Sequence, residues 1–237
     1  MGIANLNGLT GNLDGERRSP QPPGARSAVA RYGDLYVDDV TGERAVVLRG
    51  DAESGGSSLV VHLVVRPGGE VTGAHVHPAL EERFQVLEGR LGTLVGGAKR
   101  TLEPGEVVTV PPGVEHDWWN AGDTEASVLV ELTPGDPRFV QMIATLFGLA
   151  NAGRSDAHGR PSLLQSTLIG REFEDVIVFT SPPRLVQRVA HALLAPIARL
   201  RGLRGAYPEY LRPHGSVEPD PAALAAAGIE RPAAAAA

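Results

Sequence analysis

The sequence predicts a mainly β protein, a barrel or sandwich of short strands, followed by an α-helical C-terminal extension. Short β-rich runs follow one another from about Tyr32, and each is bounded by Gly, Pro, Asp or Asn. The 29 Gly and 19 Pro residues predict many turns and few long helices. After Pro137 the spacing of apolar residues changes to that of a helix.

Four segments follow from these changes in pattern. Residues 1–30 are predicted to be a flexible leader, because the stretch around residues 16–27 is polar and Pro-rich. Residues 31–135 form the predicted β domain, and residues 136–213 form the helical extension. Residues 214–237 are rich in Pro and Ala and are predicted to be a flexible tail.

Six strands are predicted within the β domain. In residues 58–66 both alternating sets of side chains are largely apolar, which is typical of a strand covered on both faces. The predicted strands are residues 44–49, 58–66, 83–89, 91–96, 106–111 and 126–133.

Two helices are predicted in the extension, and a polar loop from residue 151 to 161 separates them. The first covers residues 139–150. The second covers residues 184–201, begins after a Pro pair and ends before Gly202, and Pro196 is expected to kink or split it. One stripe of this second helix is apolar, and arginines occupy much of the rest.

The amphipathic second helix allows three interpretations. A basic amphipathic helix can lie on a membrane surface, but Pro196 interrupts it and no lipid anchor is visible, so membrane contact is not expected. The preferred interpretation is that the helical extension covers the outer sheet or builds a dimer interface. It could also form a lid over the mouth of the pocket.

Composition excludes several classes of protein. The absence of Cys excludes disulfides, thiolate zinc sites and a Cys nucleophile. A net charge of −6 gives no electrostatic basis for a nucleic-acid partner. The N-terminal residues do not resemble a signal peptide, and no apolar run reaches 18 residues, so a cytoplasmic protein is expected.

Three histidines and one glutamate stand out as candidate metal ligands. His75 and His77 are two residues apart, so on one strand both side chains point to the same face. Glu82 shares a strand face with Phe84 and Val86, which places a carboxylate beside an apolar lining. The turn at residues 111–113 brings His116 to the same mouth. This donor set suits one divalent ion, either Fe, Mn, Ni, Cu or Zn, and would leave about one net positive charge.

The residues around these ligands closely resemble both signature motifs of the cupin superfamily. The first motif lies in residues 68–89 and the second in residues 105–120, and every motif position is filled. The nine positions are Gly69, His75, His77, Glu82, Gly89, Gly105, Pro111, Gly113 and His116, with Asn120 closing the second segment. The resemblance covers roughly residues 45–133 and implies a small antiparallel jelly-roll β-barrel with a metal in its mouth and, by analogy, a homodimer.

Several neighbouring residues carry weaker predictions. Glu81 is an alternative ligand, but the family spacing to Gly89 favours Glu82, and Glu81 would face the other side of its strand. Phe84, Val86 and Trp118 are candidates for the wall of a substrate pocket, although core packing explains them nearly as well. The remaining histidines are interpreted as ordinary surface or core residues: His62, His158, His191 and His214.

Three functions remain open, because a fold does not fix a function. The preferred one is a metal-dependent oxidoreductase, similar to dioxygenases, that acts on a small organic molecule. The resemblance to cupin dioxygenases implies that Glu82 is a catalytic base there. The second is a Zn- or Ni-assisted cyclase, isomerase or lyase. The third is a sensor of metals or small molecules without turnover, in which the helices transmit occupancy to a partner.

Overall fold

The computed structural model describes residues 30–70 and 73–231, and within them the protein is a mainly β structure with helices concentrated towards the C-terminus. The strands are β1 Asp34–Val37, β2 Arg44–Arg49, β3 Leu59–Val65, β4 His75–Val76, β5 Glu81–Glu88, β6 Leu91–Val95, β7 Ala98–Leu102, β8 Val107–Val110, β9 His116–Asn120, β10 Ala126–Thr133, β11 Val178–Phe179 and β12 Gly215–Ser216.

The strands form two antiparallel sheets. The larger sheet has the order β12-β1-β2-β3-β10-β5-β8, and the smaller has the order β11-β4-β9-β6-β7. Consecutive strands lie in different sheets at several points, as in a jelly roll. The predicted fold class, a small antiparallel jelly-roll barrel with a helical extension, is therefore confirmed.

Buried and more exposed side chains alternate along β5, and this alternation shows how the sequence forms the barrel. Glu82, Phe84 and Val86 are buried, whereas Glu81 is exposed and the intervening residues are half-buried. Phe84 pairs with Val130 of β10, so that the inward residues of adjacent strands lie side by side. Such rows give each sheet one face that packs in the interior.

The turn after β5 requires glycine. Gly89 has a φ of 73°, and a Cβ at this position would lie 2.6 Å from the carbonyl oxygen of Glu125. A side chain here would therefore be strained in its backbone and would collide with a neighbouring main chain.

Five α-helices accompany the sheets. Asp136 caps the second helix by accepting a hydrogen bond from the Arg138 amide at 2.8 Å, and Pro137 occupies its first turn. Pro196 lies inside the fourth helix, which is not split there. The helices are α1 Asp51–Ser54, α2 Pro137–Asn151, α3 Leu163–Glu172, α4 Arg184–Leu200 and α5 Pro221–Ala227, with a short 3-10 helix at Pro208–Tyr210.

The extension shares the hydrophobic core of the barrel. Phe147 of α2 and Phe173, after α3, are buried in one cluster with Val47, Leu63 and Val65 of the barrel strands. The strand β11 pairs with β4, so the extension also adds a strand to the smaller sheet. No helix in the described residues is long and apolar enough to cross a membrane.

The structure describes little of the predicted leader but most of the predicted C-terminal tail. Residues 1–29 of the predicted leader and residues 232–237 of the predicted tail lie outside the described residues. The rest of the tail contains two elements that a flexible tail would not have. The strand β12 pairs with β1, and α5 buries Leu224 against the outer face of the larger sheet, where Leu48 and Leu129 lie.

Candidate metal centre

The four predicted ligands meet inside the barrel. His75 lies on β4 and His77 directly after it, Glu82 lies on β5, and His116 lies on β9. Antiparallel pairing places His75 opposite His116. All four side chains are buried, and one ligand atom from each lies within 4.8 Å of the others.

The closest contacts in the cluster centre on the glutamate. The Nε2 atom of His116 lies 2.9 Å from Oε2 of Glu82, and Nε2 of His77 lies 3.5 Å from the same oxygen. The rings of His75 and His116 are 4.2 Å apart between centroids. Ligand atoms that share an ion at about 2.1 Å stand roughly 3–4 Å from one another, which is close to this spacing.

Main-chain carbonyls orient all three imidazole rings. The Nδ1 atoms of His75, His77 and His116 lie 3.0, 2.7 and 3.0 Å from the carbonyl oxygens of Gly73, Val176 and Val114. A carbonyl oxygen only accepts, so each Nδ1 carries a hydrogen and donates it. In its neutral form each ring therefore presents the lone pair of Nε2 to the centre, as metal-binding histidines commonly do.

An unpartnered buried nitrogen supports the interpretation as a metal site. Nε2 of His77 is buried without a hydrogen-bond partner in the described residues. A buried polar atom without a partner costs free energy, so such atoms commonly mark a site for a ligand or ion. The residues present therefore fit a divalent ion, which would accept the lone pair of this nitrogen.

Electrostatics keep two of the ligands ready to bind a cation at neutral pH. Burial, together with the nearby His116, lowers the pKa of His75 to about 4. Burial alone would raise the pKa of Glu82, but its contacts with His116 and His77 outweigh burial and lower that pKa well below its usual range. The pKa of His116 is raised, because its hydrogen bond with Glu82 outweighs the opposing effect of burial. A bound ion would replace the proton between these two groups.

A cavity of about 160 Å³ opens beside the centre, and its wall is predominantly apolar. Phe84 and Trp118 line it as predicted, and their rings are 6.1 Å apart. The prediction for Val86 is not met, because its side chain is buried in the core farther along β5, opposite Val128, and does not line the cavity. Other lining residues are Val47, Leu59, Val61, Leu63, Phe139, Val140, Met142, Ile143, Leu146, Phe147 and Ile177.

The sequence did not reveal the part that the extension plays in this site. Val176 supplies the carbonyl that orients His77, and Phe139 of α2 lies 5.7 Å from the His77 ring. Phe179 of β11 lies 6.1 Å from the His75 ring. The apolar face of the first predicted helix was the only sequence signal that the extension packs near the site. A contact made by a main-chain carbonyl has no signature in a sequence.

The sequence also did not reveal a set of polar residues, apart from the four candidate ligands, in the wall of the cavity. Asp38, Thr41 and Glu43 line its wall together with Glu70 and His158. Burial, with the charge of Asp38 adding to it, raises the pKa of Glu43 to about 7. Glu43 therefore adds a carboxyl that is half neutral near physiological pH to an otherwise apolar pocket.

The other histidines lie outside the metal cluster. His62 is buried and bonds to the hydroxyl of Ser127 at 2.7 Å, as a core residue does. His158 is exposed and borders the cavity, His191 is half-buried on α4, and His214 contacts the main-chain amide of Val37. None of the four is a ligand in the buried cluster of three histidines and Glu82.

Comparisons with known proteins agree with this architecture. Residues 61–131 match the family model of the cupin domain. The chain is 38% identical over 90 residues to "Oxalate oxidase 2" of Hordeum vulgare, covering 35% of this chain and 40% of that protein. It is 35% identical over 121 residues to "Germin-like protein 3-5" of Oryza sativa subsp. japonica, covering 44% and 52%. The chain thus spans about half or less of the length of these relatives.

Among solved structures, the chain is similar to a predicted oxalate decarboxylase from Thermotoga maritima. The identity is 19%, the TM-score is 0.39, and the match covers 46% of this chain and 96% of that one. Nothing about function follows from so distant a likeness.

The fold and the site define a class of protein: a small antiparallel double-sheet barrel with a buried cluster of three histidines and one glutamate that could hold a metal ion. Together with the match to the family model, they show that residues 61–131, which form much of the barrel, are a cupin domain.

Proposed function

We propose that the protein is a metal-dependent cupin oxidoreductase, similar to dioxygenases, that acts on a small and largely apolar organic molecule. The observation that carries the proposal is the convergence of three Nε2 atoms and one carboxylate on the wall of an apolar cavity. Each imidazole is fixed by a main-chain carbonyl, which is an arrangement for ligation rather than for packing.

Different residues have different roles in the proposed site. His75, His77, His116 and Glu82 would hold one divalent ion, either Fe, Mn, Ni, Cu or Zn. A redox-active ion would supply electron transfer and open positions for oxygen or a substrate oxygen. Glu82 is ionised because its pKa is low, and it is the proposed base towards a substrate hydroxyl. Phe84, Trp118 and the α2 residues exclude water from the reacting group.

Charge in the cavity narrows the class of substrate. Among the described residues, the lining contains no Lys or Arg, and it includes the carboxyl groups of Asp38, Glu43, Glu70 and Glu82. A small dianion such as the oxalate in the relatives' names would meet no cationic side chain from this part of the chain. The proposed substrate is therefore uncharged or nearly so, with an apolar body and one or two oxygen donors, as in catechols, flavonols or diketones.

Metal analysis of the purified protein tests the centre. His77→Ala removes the unpartnered Nε2, and we expect the bound metal to fall at least tenfold while the far-ultraviolet circular dichroism is unchanged. The matched control is His191→Ala, which lies on α4 outside the cluster and should keep its metal. Equal metal content in His77→Ala and the parent protein would contradict the proposal.

Oxygen uptake then tests the reaction. Iron, copper or manganese in the protein, together with oxygen uptake in the presence of one of these substrate classes, would support the oxidoreductase. Zinc or nickel alone, with substrate conversion that consumes no oxygen, would instead indicate a cyclase, isomerase or lyase. A small molecule that binds tightly without conversion would indicate a sensor.

A further inference from the structure

The helix α4 presents its largest apolar side chains to solvent. Leu185, Leu193 and Leu200 are 74%, 66% and 89% exposed, which is far more than an amphipathic helix packed on its own domain shows. The complete stripe consists of Leu185, Val186, Val189, Leu193, Ile197 and Leu200.

The opposite side of the helix attaches it to the protein. Ala195 and Ala198 are fully buried in a cluster with Leu168 of α3. At about 100° per residue, these alanines lie roughly 140–160° from the middle of the apolar stripe. The small residues therefore pack against α3, and the large ones face outward along a stripe about 22 Å long.

The stripe is bordered by arginines that form no ion pair with a carboxylate of the described residues. Residues 176–208 contain no Asp or Glu, although the whole chain has a net charge of −6. Glu174 borders a small pocket with the first two arginines, but it forms no ion pair with them in the described residues. Four arginines of this segment likewise take part in no salt bridge there: Arg184, Arg188, Arg199 and Arg201.

We propose that α4 is an interfacial helix that lies flat on an anionic lipid surface. The apolar stripe enters the boundary between headgroups and acyl chains, and the bordering arginines reach the lipid phosphates. Charge complementarity favours this occupant over a second copy of the chain. A symmetric contact between two α4 stripes would bring arginines from both helices together, and neither helix carries a carboxylate to balance them.

Flotation of the full chain with lipid vesicles tests the proposal. We expect binding to vesicles of phosphatidylcholine mixed with phosphatidylglycerol, weak binding to phosphatidylcholine alone, and a loss of binding as salt is raised. Leu193→Asp should weaken binding at least about tenfold, because it removes apolar burial and adds a negative charge. The double variant Arg188→Glu with Arg199→Glu should weaken it about as much.

Matched changes elsewhere on the surface serve as controls. Val107→Asp replaces an exposed apolar residue of β8, and Arg100→Glu reverses an exposed charge of β7, so both should bind as the parent does. The proposal is overturned if the parent does not bind anionic vesicles at low salt, or if the α4 variants bind as well as the controls. A dimer in solution that Leu193→Asp dissociates would also overturn it and would assign the stripe to a second copy.

Discussion

At the scale of residues, the candidate metal ligands are oriented by hydrogen bonds as well as by their positions in the sequence. His75, His77 and His116 each commit Nδ1 to a main-chain carbonyl, which leaves Nε2 for the centre. The choice between Glu81 and Glu82 is resolved by the same strand geometry that the sequence suggested. Glu82 is buried in the cluster, and Glu81 is exposed on the other face.

The half-neutral carboxyl of Glu43 makes stability depend on pH. Burial, with Asp38 adding to it, raises its pKa to about 7 from the ordinary value of 4.5 for a glutamate. Its contribution to stability is therefore complete below pH 4.5 and is lost as the pH rises through 7. Glu43→Gln should unfold like the parent at pH 4.5 and be more stable by about 2 kcal/mol at pH 8.

Urea unfolding of both proteins across this pH range measures the effect. Glu115→Gln alters an exposed carboxylate and should show no such pH-dependent gain. A difference between Glu43→Gln and the parent that stays constant from pH 4.5 to pH 8 would contradict the titration of Glu43.

At the scale of elements, the turn after α3 joins the extension to the metal centre. Arg138 of α2 bonds to both carboxylate oxygens of Asp175, at 2.6 and 3.0 Å, and also to the carbonyl of Glu172. Its guanidinium lies over the Phe173 ring at 5.2 Å. These contacts fix the segment in which Val176 orients His77.

Arg138→Lys should therefore weaken metal binding without touching a ligand. Lysine cannot form the bidentate contact with Asp175, so the turn loosens and the Val176 carbonyl is held less firmly. We expect about a tenfold loss of metal affinity, measured by competition with a chelator. Arg44→Lys, at the exposed ion pair with Glu125, is the control and should bind metal as the parent does. Equal affinities for Arg138→Lys and Arg44→Lys would disprove this coupling.

Elements with strong periodicity were predictable, and elements fixed by distant partners were not. The strand at residues 44–49 matches β2, and the helix at residues 139–150 lies within α2, because each has clear alternation or helical spacing. The strands β4 and β11 have two residues each, and they are defined by pairing with strands distant in sequence, β4 with β9 and β11 with β4. The helix α3 escaped prediction because its buried face includes Gln165 and Thr167 and gives little apolar contrast.

At the scale of the whole molecule, the sequence predicted which four side chains cluster in the barrel but not which elements form the wall of the cavity. The motif spacing identified His75, His77, Glu82 and His116, because strand parity and tight turns constrain them locally. The cavity wall combines barrel strands with α2, and no local rule places a helix on a distant sheet. The prediction of a homodimer stays a prediction.

The C-terminal segment contributes to the stability of the larger sheet. Leu224 of α5 packs in a cluster with Leu48, Val60 and Leu129 on the outer face of that sheet. Leu224→Ala should lower the free energy of unfolding by about 2 kcal/mol, as measured by urea denaturation. Ala226→Ser, on the exposed side of the same helix, should change it little. An unchanged value for Leu224→Ala would restore the expectation of a flexible tail.

The contact between the Val176 carbonyl and His77 limits how much of the site a graft of the barrel alone would carry. The residues that match the cupin family end at 131, yet one of the three imidazoles takes its orientation from a peptide group 45 positions later. A graft of the matching residues alone would carry every metal ligand and still lack a part of the scaffold that aims them. The orientation of His77 therefore depends on residues that lie outside the segment matching the family model.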